Sequence, residues 1–209
     1  MDNKVTLYGP GYSSYVRSVQ ICCEEKGVDH NLQEIKLPSK SLLGLNPFGR
    51  VPVIVHGDVT VYESAAICRY IDRTFEGPSL SPVSTDELAW MDQWISAANC
   101  YFDSAFIRRY VLEFAFPKGE NGRPDRTNIR AAQPEVERHL GIAGQALEQA
   151  AYFSGVRPGI ADYLILPMLD YLQRVPGGRK LVESQAAVSR YVENLLERPA
   201  CAKILSPAW

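Results

Sequence analysis

The spacing of apolar positions changes character once along the chain. Up to Phe75, short apolar runs alternate with segments of helical period. Val5–Tyr8 reads as a strand, Ser14–Lys26 as a helix stopped by Gly27, and residues 30–36 as a second strand. Residues 38–44 are short and irregular. From Val51 to Tyr62 two β-branched runs meet at Gly57-Asp58, a hairpin, and Ser64 is placed to cap a helix over 65–75. The order is β-α-β, a connection, then β-β-α.

The next stretch, Gly77-Pro78-Ser79-Leu80-Ser81-Pro82-Val83-Ser84, has the composition of a linker. Beyond it no strand period persists. Leu88, Met91, Ile95, Ala98, Phe102 and Phe106 follow helical spacing, and Trp90, Trp94 and Tyr101 make a second apolar stripe on the same helix. One stripe should pack in its own domain, the other against a cleft or a partner subunit. Residues 116–128 read as a loop, followed by helices at 134–149, 160–173, 178–181 and 187–198. The segment 160–172 is apolar nearly all round, as a central helix would be, with Asp162 near its first turn and Pro167 expected to kink it or remove a backbone bond. The pattern predicts an α/β domain over 1–77, a linker over 78–86 and an all-helical domain over 87–209.

Composition narrows the function classes. The 209 residues are 46% apolar, ordinary for a globular protein, and 22 basic against 24 acidic residues leave no basic field for a nucleic-acid partner. Residues 1–4 lack the basic and apolar regions of a signal peptide, and no apolar run approaches the length of a membrane span. Five cysteines (Cys22, Cys23, Cys68, Cys100, Cys201) without a C-x-x-C pair argue against a disulfide framework or a zinc site. A soluble protein of the reducing cytosol, with no metal and no membrane, is expected.

The strand-to-helix junction "LYGPGYSSYVR", Leu7 to Arg17, is the first candidate for chemistry. Gly9-x-Gly11-x-x-Ser14, with Glu34 about twenty residues on, resembles a dinucleotide-binding loop and its ribose-binding acid. That reading fails because the later strands form a hairpin rather than parallel strands joined by crossover helices. Gly11-x-Ser13 resembles half of a nucleophile elbow, but Tyr15 stands where glycine is required, and His30, His56 and His139 each sit at structural or surface positions. Two readings remain: a serine hydroxyl aimed at a ligand from a helix N-terminus, or an N-cap alone.

Five segments in order, "LYG....S", "EEKG" (24–27), "NPFGRVPV" (46–53), "YESAAICRYI" (62–71) and "GIADYLILP" (159–167), resemble the glutathione transferase superfamily over nearly the whole chain. The resemblance implies a thioredoxin-like β-α-β-β-β-α domain followed by an all-α helical bundle. It places Ser13 on the catalytic serine of the phi- and theta-like, serine-type classes, with Ser14 one position off and Tyr8 as a third candidate. The cysteine that beta and omega members carry near this position is absent.

For glutathione, the resemblance implies Val51 before a cis Pro52 as the backbone partner of the cysteinyl unit. Ser64 would hold the γ-glutamyl carboxylate and Glu63 its ammonium, with Lys40 or Arg50 for the glycyl carboxylate. The electrophile is expected between the domains, lined by Tyr12, Tyr101, Phe102, Phe106, Arg109 and Tyr110. Phe48, in a loop between glycine and proline, is the expected anchor of a homodimer. Glutathione acts as co-substrate and no cofactor is required. The function implied is conjugation of glutathione to an apolar electrophile. Its alternatives are a ligand carrier or assembly protein with little turnover, and a glutathione-dependent isomerase or dehalogenase.

Overall fold

The computed structural model describes residues 4–205, so the reading of residues 1–3 as lacking a leader lies outside them. Strands β1 (Val5–Tyr8), β2 (His30–Gln33), β3 (Val53–His56) and β4 (Val59–Tyr62) form one sheet in the order β2-β1-β3-β4. β1 runs parallel to β2 and antiparallel to β3, and β3 to β4 is the hairpin expected at Gly57. The second strand stops at Gln33 rather than residue 36, because β1, its one neighbour, ends at Tyr8 opposite Gln33. β3 begins at Val53 rather than Val51; Pro52 has no N–H to give a ladder.

Helix α1 (Ser14–Lys26) crosses between β1 and β2, and α2 (Ser64–Thr74) follows the hairpin and packs beside it. Gly27 ends α1 in the left-handed conformation, φ 73°, as a glycine without a Cβ can. A buried ion pair ties these helices, Lys26 Nζ to Asp72 Oδ1 at 3.0 Å, and the same oxygen accepts the Leu80 N–H of the following segment at 2.8 Å.

The helical part opens with α3 (Thr85–Ala97), which runs without interruption into a π-wound stretch (Ala98–Val111) and a last α-turn, α4 (Leu112–Ala115). The helix is thus longer than the stretch ending at Phe106 that spacing predicts. Helix α5 (Arg126–Gln149) also starts earlier than expected, eight residues before Pro134. Asp125 caps it by accepting the N–H groups of Thr127 at 2.8 Å and Asn128 at 3.3 Å, and this outweighs the one backbone bond that Pro134 forgoes. Helices α6 (Ile160–Arg174), α7 (Gly178–Glu183), α8 (Ala186–Leu196) and α9 (Pro199–Leu205) complete the bundle.

Helix α6 is the central one, buried from Ile160 to Leu172 and packed against α1, α2, α3, α7, α8 and the π-wound stretch. Asp162 at its first turn is fully buried. It accepts hydrogen bonds from the N–H groups of Phe153 (2.8 Å), Ser154 (3.1 Å) and Gly159 (2.9 Å) and from the Tyr191 hydroxyl (3.0 Å). Burial pushes this carboxyl up, and hydrogen bonding by the Ser154 side chain, the Gly159 and Phe153 N–H groups and the Tyr191 hydroxyl opposes the shift. No helix among the described residues is long and apolar enough to cross a membrane.

Asp162→Ala strands three backbone donors and one hydroxyl in the core. The expected loss is at least about 3 kcal/mol, read from the midpoint of urea unfolding, with Asp162→Asn losing less because its carbonyl still accepts. A loss below about 1 kcal/mol for the alanine variant would show that the network does not hold α6 in place.

Candidate functional site

The loop leaving β1 is shaped by two close approaches. A Cβ on Gly9, at φ 150°, would lie 2.6 Å from Val16 Cγ2 and 3.1 Å from Val51 Cβ. A Cβ on Gly11 would lie 2.9 Å from Glu34 Oε1, which accepts the Gly11 N–H at 3.0 Å. Glu34, at the spacing of a ribose-binding acid, is therefore spent on the loop itself. Sequence spacing alone carried no sign of that use.

Ser13 stands at the end of this loop as the N-cap of α1, in extended conformation, with its Oγ accepting the Val16 N–H at 3.4 Å. Capping uses a lone pair and leaves the hydroxyl hydrogen, which donates to no described residue. Ser14 is the first helical residue and is buried, though it too borders the adjoining cavity. Tyr8 remains within the sheet, away from that cavity.

The loop is pinned from behind. Arg17, buried, donates from Nε to the Gly11 carbonyl at 2.9 Å and lies over the Tyr171 ring at 4.9 Å. Tyr171 of α6 donates its hydroxyl to the Tyr12 carbonyl at 2.6 Å. The end of α1 is fastened to the helical part by a two-pronged pair of Arg198 with Glu25 (2.7 and 2.6 Å) and by Lys203 with Glu24 at 2.7 Å. The acidic pair of "EEKG" therefore holds the two parts of the chain together.

In front of Ser13 opens a cavity of about 700 Å³. Tyr12, Ser13, Ser14, Tyr15, Arg50 and Val51 form its sheet-side wall, with Leu37 and Pro38 at the rim. The Val51–Pro52 bond is cis, with Pro52 buried behind Val51. Asn46, itself buried, braces this turn by donating to the Arg50 carbonyl at 2.8 Å and accepting the Phe48 N–H at 3.0 Å. Lys40 is exposed at the start of the short 3-10 turn Ser41–Gly44 and does not border the cavity.

Glu63 and Ser64 open α2. Glu63, not Ser64, occupies the cap position; it makes no side-chain cap bond and holds φ at 69°, which is uncommon for a residue with a Cβ. Such a conformation persists only where its surroundings impose it, and it clusters at ligand sites. Neither residue lines the cavity directly. Glu63 does lie within electrostatic reach of Tyr15 on its wall: burial first, then Asp103 and Glu63, push the Tyr15 phenol up and keep it protonated.

The helical wall differs from the expected one. It consists of Ile107, Arg108, Val111, Leu112, Ala115 and Phe116, none of which the spacing singled out, with Tyr171 from α6. Tyr101, Phe106, Arg109 and Tyr110 lie elsewhere. Phe106 and Tyr110 are buried in the bundle, and Arg109 is paired with Glu135 of α5. Tyr101 and Phe102 line a separate hollow of about 490 Å³ with Trp94, Ala97, His139 and Ile142. The cause is the winding: hydrogen bonds from i to i+5 put more residues in each turn, so the face read at α-helical period rotates away from the cavity.

Comparison with known proteins agrees with this architecture. The family model described as glutathione S-transferase, N-terminal domain, matches residues 12–74, and that of the C-terminal domain of the same family matches residues 104–199. A probable glutathione S-transferase of Oryza sativa subsp. japonica is 29% identical over 96% of this chain and 94% of its own. The crystal structure of poplar glutathione transferase F1 superposes with a TM-score of 0.87 at 28% identity, covering 97% of each chain. A theta class glutathione S-transferase of Xanthomonas axonopodis pv. citri, solved with glutathione bound, gives 0.84 at 26% identity and 98% of each chain.

Gly9→Ala forces its new methyl against Val16 at the start of α1. The expected cost is about 1–3 kcal/mol in urea unfolding, the usual range for overpacking. An unaltered unfolding midpoint would mean that the loop and the start of α1 move apart freely.

Proposed function

The chain belongs to the glutathione S-transferase family, and from that membership and the geometry of the cavity we infer that Ser13 activates the thiol it conjugates to apolar electrophiles. The observation that carries this reading is the unspent Ser13 hydroxyl at the N-terminus of α1, on the wall of a largely apolar cavity.

A free cysteine thiol has a pKa near 8.5, and the thiolate is the nucleophile. A hydroxyl donating to the sulfur, with the positive end of α1 behind it, favours the anion. A drop of two units corresponds to about 2.7 kcal/mol, within reach of these two effects together. The sulfur then attacks the electrophilic carbon, the carbon–sulfur bond forms as the leaving group departs with its electron pair, and the thiol proton passes to solvent. This chemistry needs no metal or organic cofactor.

Glutathione would lie along the sheet-side wall, its cysteinyl backbone beside Val51 and its glycyl carboxylate toward Arg50, with Lys40 as the other cation in the neighbourhood. The γ-glutamyl end would reach the N-terminus of α2, where Ser64 and the helix N–H groups meet the carboxylate and Glu63 meets the ammonium. Five reduced cysteines, four of them buried, suit the reducing cytosol.

The active form we infer is a homodimer. Phe48 is 69% exposed on a turn braced by Asn46, an apolar knob whose ring meets Tyr62 edge-on. The hollow lined by Trp94, Tyr101, Phe102 and His139, aromatic on several sides, would receive it in a second copy.

Two measurements follow. The ultraviolet thiolate absorbance of bound glutathione should titrate well below the free value in the native protein and return toward about 8.5 in Ser13→Ala, with kcat/KM falling about 10²–10³-fold. A depressed pKa retained in the variant would pass the role to Ser14. Sedimentation should show a dimer that Phe48→Asp converts to monomer; a dimer surviving that change would remove Phe48 from the contact.

A further inference from the structure

The conjugating reading leaves one charged group of the cavity without a task. Glutathione brings a thiolate, met by Ser13 and the start of α1, and a glycyl carboxylate, met on the sheet side by Arg50. Arg108, on the helical wall among Ile107, Val111 and Leu112, is not needed for either. No Asp or Glu stands among the residues lining the cavity, so the charged groups on its surface are two arginines.

The position of Arg108 is built. Asp103 accepts its Nε–H at 2.9 Å, and the Asp103 side chain is largely buried behind the wall rather than on it. The two residues are five apart. In an α-helix such positions diverge around the axis, whereas the i to i+5 winding of this stretch stacks one above the other. The pair therefore grips the guanidinium by one edge. Its two terminal nitrogens carry no bond to a described residue, and the side chain stays 51% exposed beside the cavity. A guanidinium held this way presents a planar pair of donors, which matches a carboxylate.

We propose that the electrophile taken by this cavity carries a carboxylate on an apolar, ring-sized body, and that Arg108 receives it. This rests on the conjugating reading above and names its substrate class. Tyr12, Leu112 and Phe116 supply the apolar surfaces for the body, and the carboxylate is a spectator of the bond exchange at the carbon facing Ser13. Arg108 acts here as a specificity-determining residue and takes no part in activating the sulfur.

The experiment uses a chloronitrobenzoate and the corresponding neutral chloronitrobenzamide, which share ring and leaving group. Each kcat/KM is divided by the uncatalysed rate with glutathione, which removes the difference in intrinsic reactivity. The native enzyme should favour the carboxylate about tenfold, the worth of one hydrogen bond to a charged group. Arg108→Gln should abolish that preference, and Arg108→Lys should keep part of it.

A native enzyme that turns over the amide as well as the benzoate, or better, overturns this inference and leaves the conjugating reading standing. A preference that survives Arg108→Gln also overturns it. Failure of glutathione-binding protein to turn over either compound and every neutral chloronitrobenzene tried overturns both readings. Because the native preference is read without any substitution, a variant that fails to fold does not rescue the idea.

Discussion

The N-terminus of α1 has to stand still at the mouth of the cavity, and helix α6 is what holds it. Tyr171 of α6 fastens the Tyr12 carbonyl, the Tyr171 ring carries Arg17, and Arg17 fastens the Gly11 carbonyl. The two residues leading into Ser13 are thus fixed through a helix about 150 positions further along the chain. Helix α6 is fixed in its turn by Asp162, which gathers three N–H groups and a tyrosine hydroxyl at its first turn inside the bundle. A buried carboxylate with every lone pair used is rigid in a way that apolar packing alone is not.

The same logic explains why the cavity lies between the two parts of the chain. The sheet side offers backbone groups, a capping hydroxyl and Arg50, all polar and set by tight turns. The helical side offers a smooth apolar wall with a single cation. Neither half is a site by itself. The ion pairs of Glu24 and Glu25 with Lys203 and Arg198 hold the far end of α1 to the helical part, so the two walls keep their spacing along the helix. The exposed Lys203–Glu24 pair contributes little to stability singly, whereas the two-pronged Arg198–Glu25 pair, with Glu25 largely buried, fixes the geometry of the contact.

Winding decides what the helical wall displays. A continuous helix from Thr85 to Ala115 changes from i to i+4 to i to i+5 bonding at Ala98, and every side chain beyond that point turns to a new bearing. Phe106 and Tyr110 go into the bundle, Arg109 goes to Glu135, and Ile107, Arg108, Val111 and Leu112 come to the cavity. Stretches of π-winding often accompany functional sites, and here the winding also makes the pairing of Asp103 with Arg108 possible.

The amino-acid sequence by itself determined the element order, the hairpin at Gly57, the stop of α1 at Gly27, the central role of α6 and the serine at the head of α1. These follow from period, turn residues and caps, which act over a few neighbouring residues. It did not reveal the early start of α5, where a local cap at Asp125 prevailed over Pro134, nor the positive φ at Glu63. Nor did it reveal the employment of Glu34 by the Gly11 loop or the cavity-facing set on the helical wall. The last three were decided by tertiary structure, because each depends on atoms that meet only after distant segments pack; the α5 start is local, a cap spanning Asp125 to Asn128 that the helix-breaking weight of Pro134 masked. A change of one residue per turn in a helix leaves its apolar content intact while rotating its face, and no count of hydrophobic positions along the chain registers that rotation.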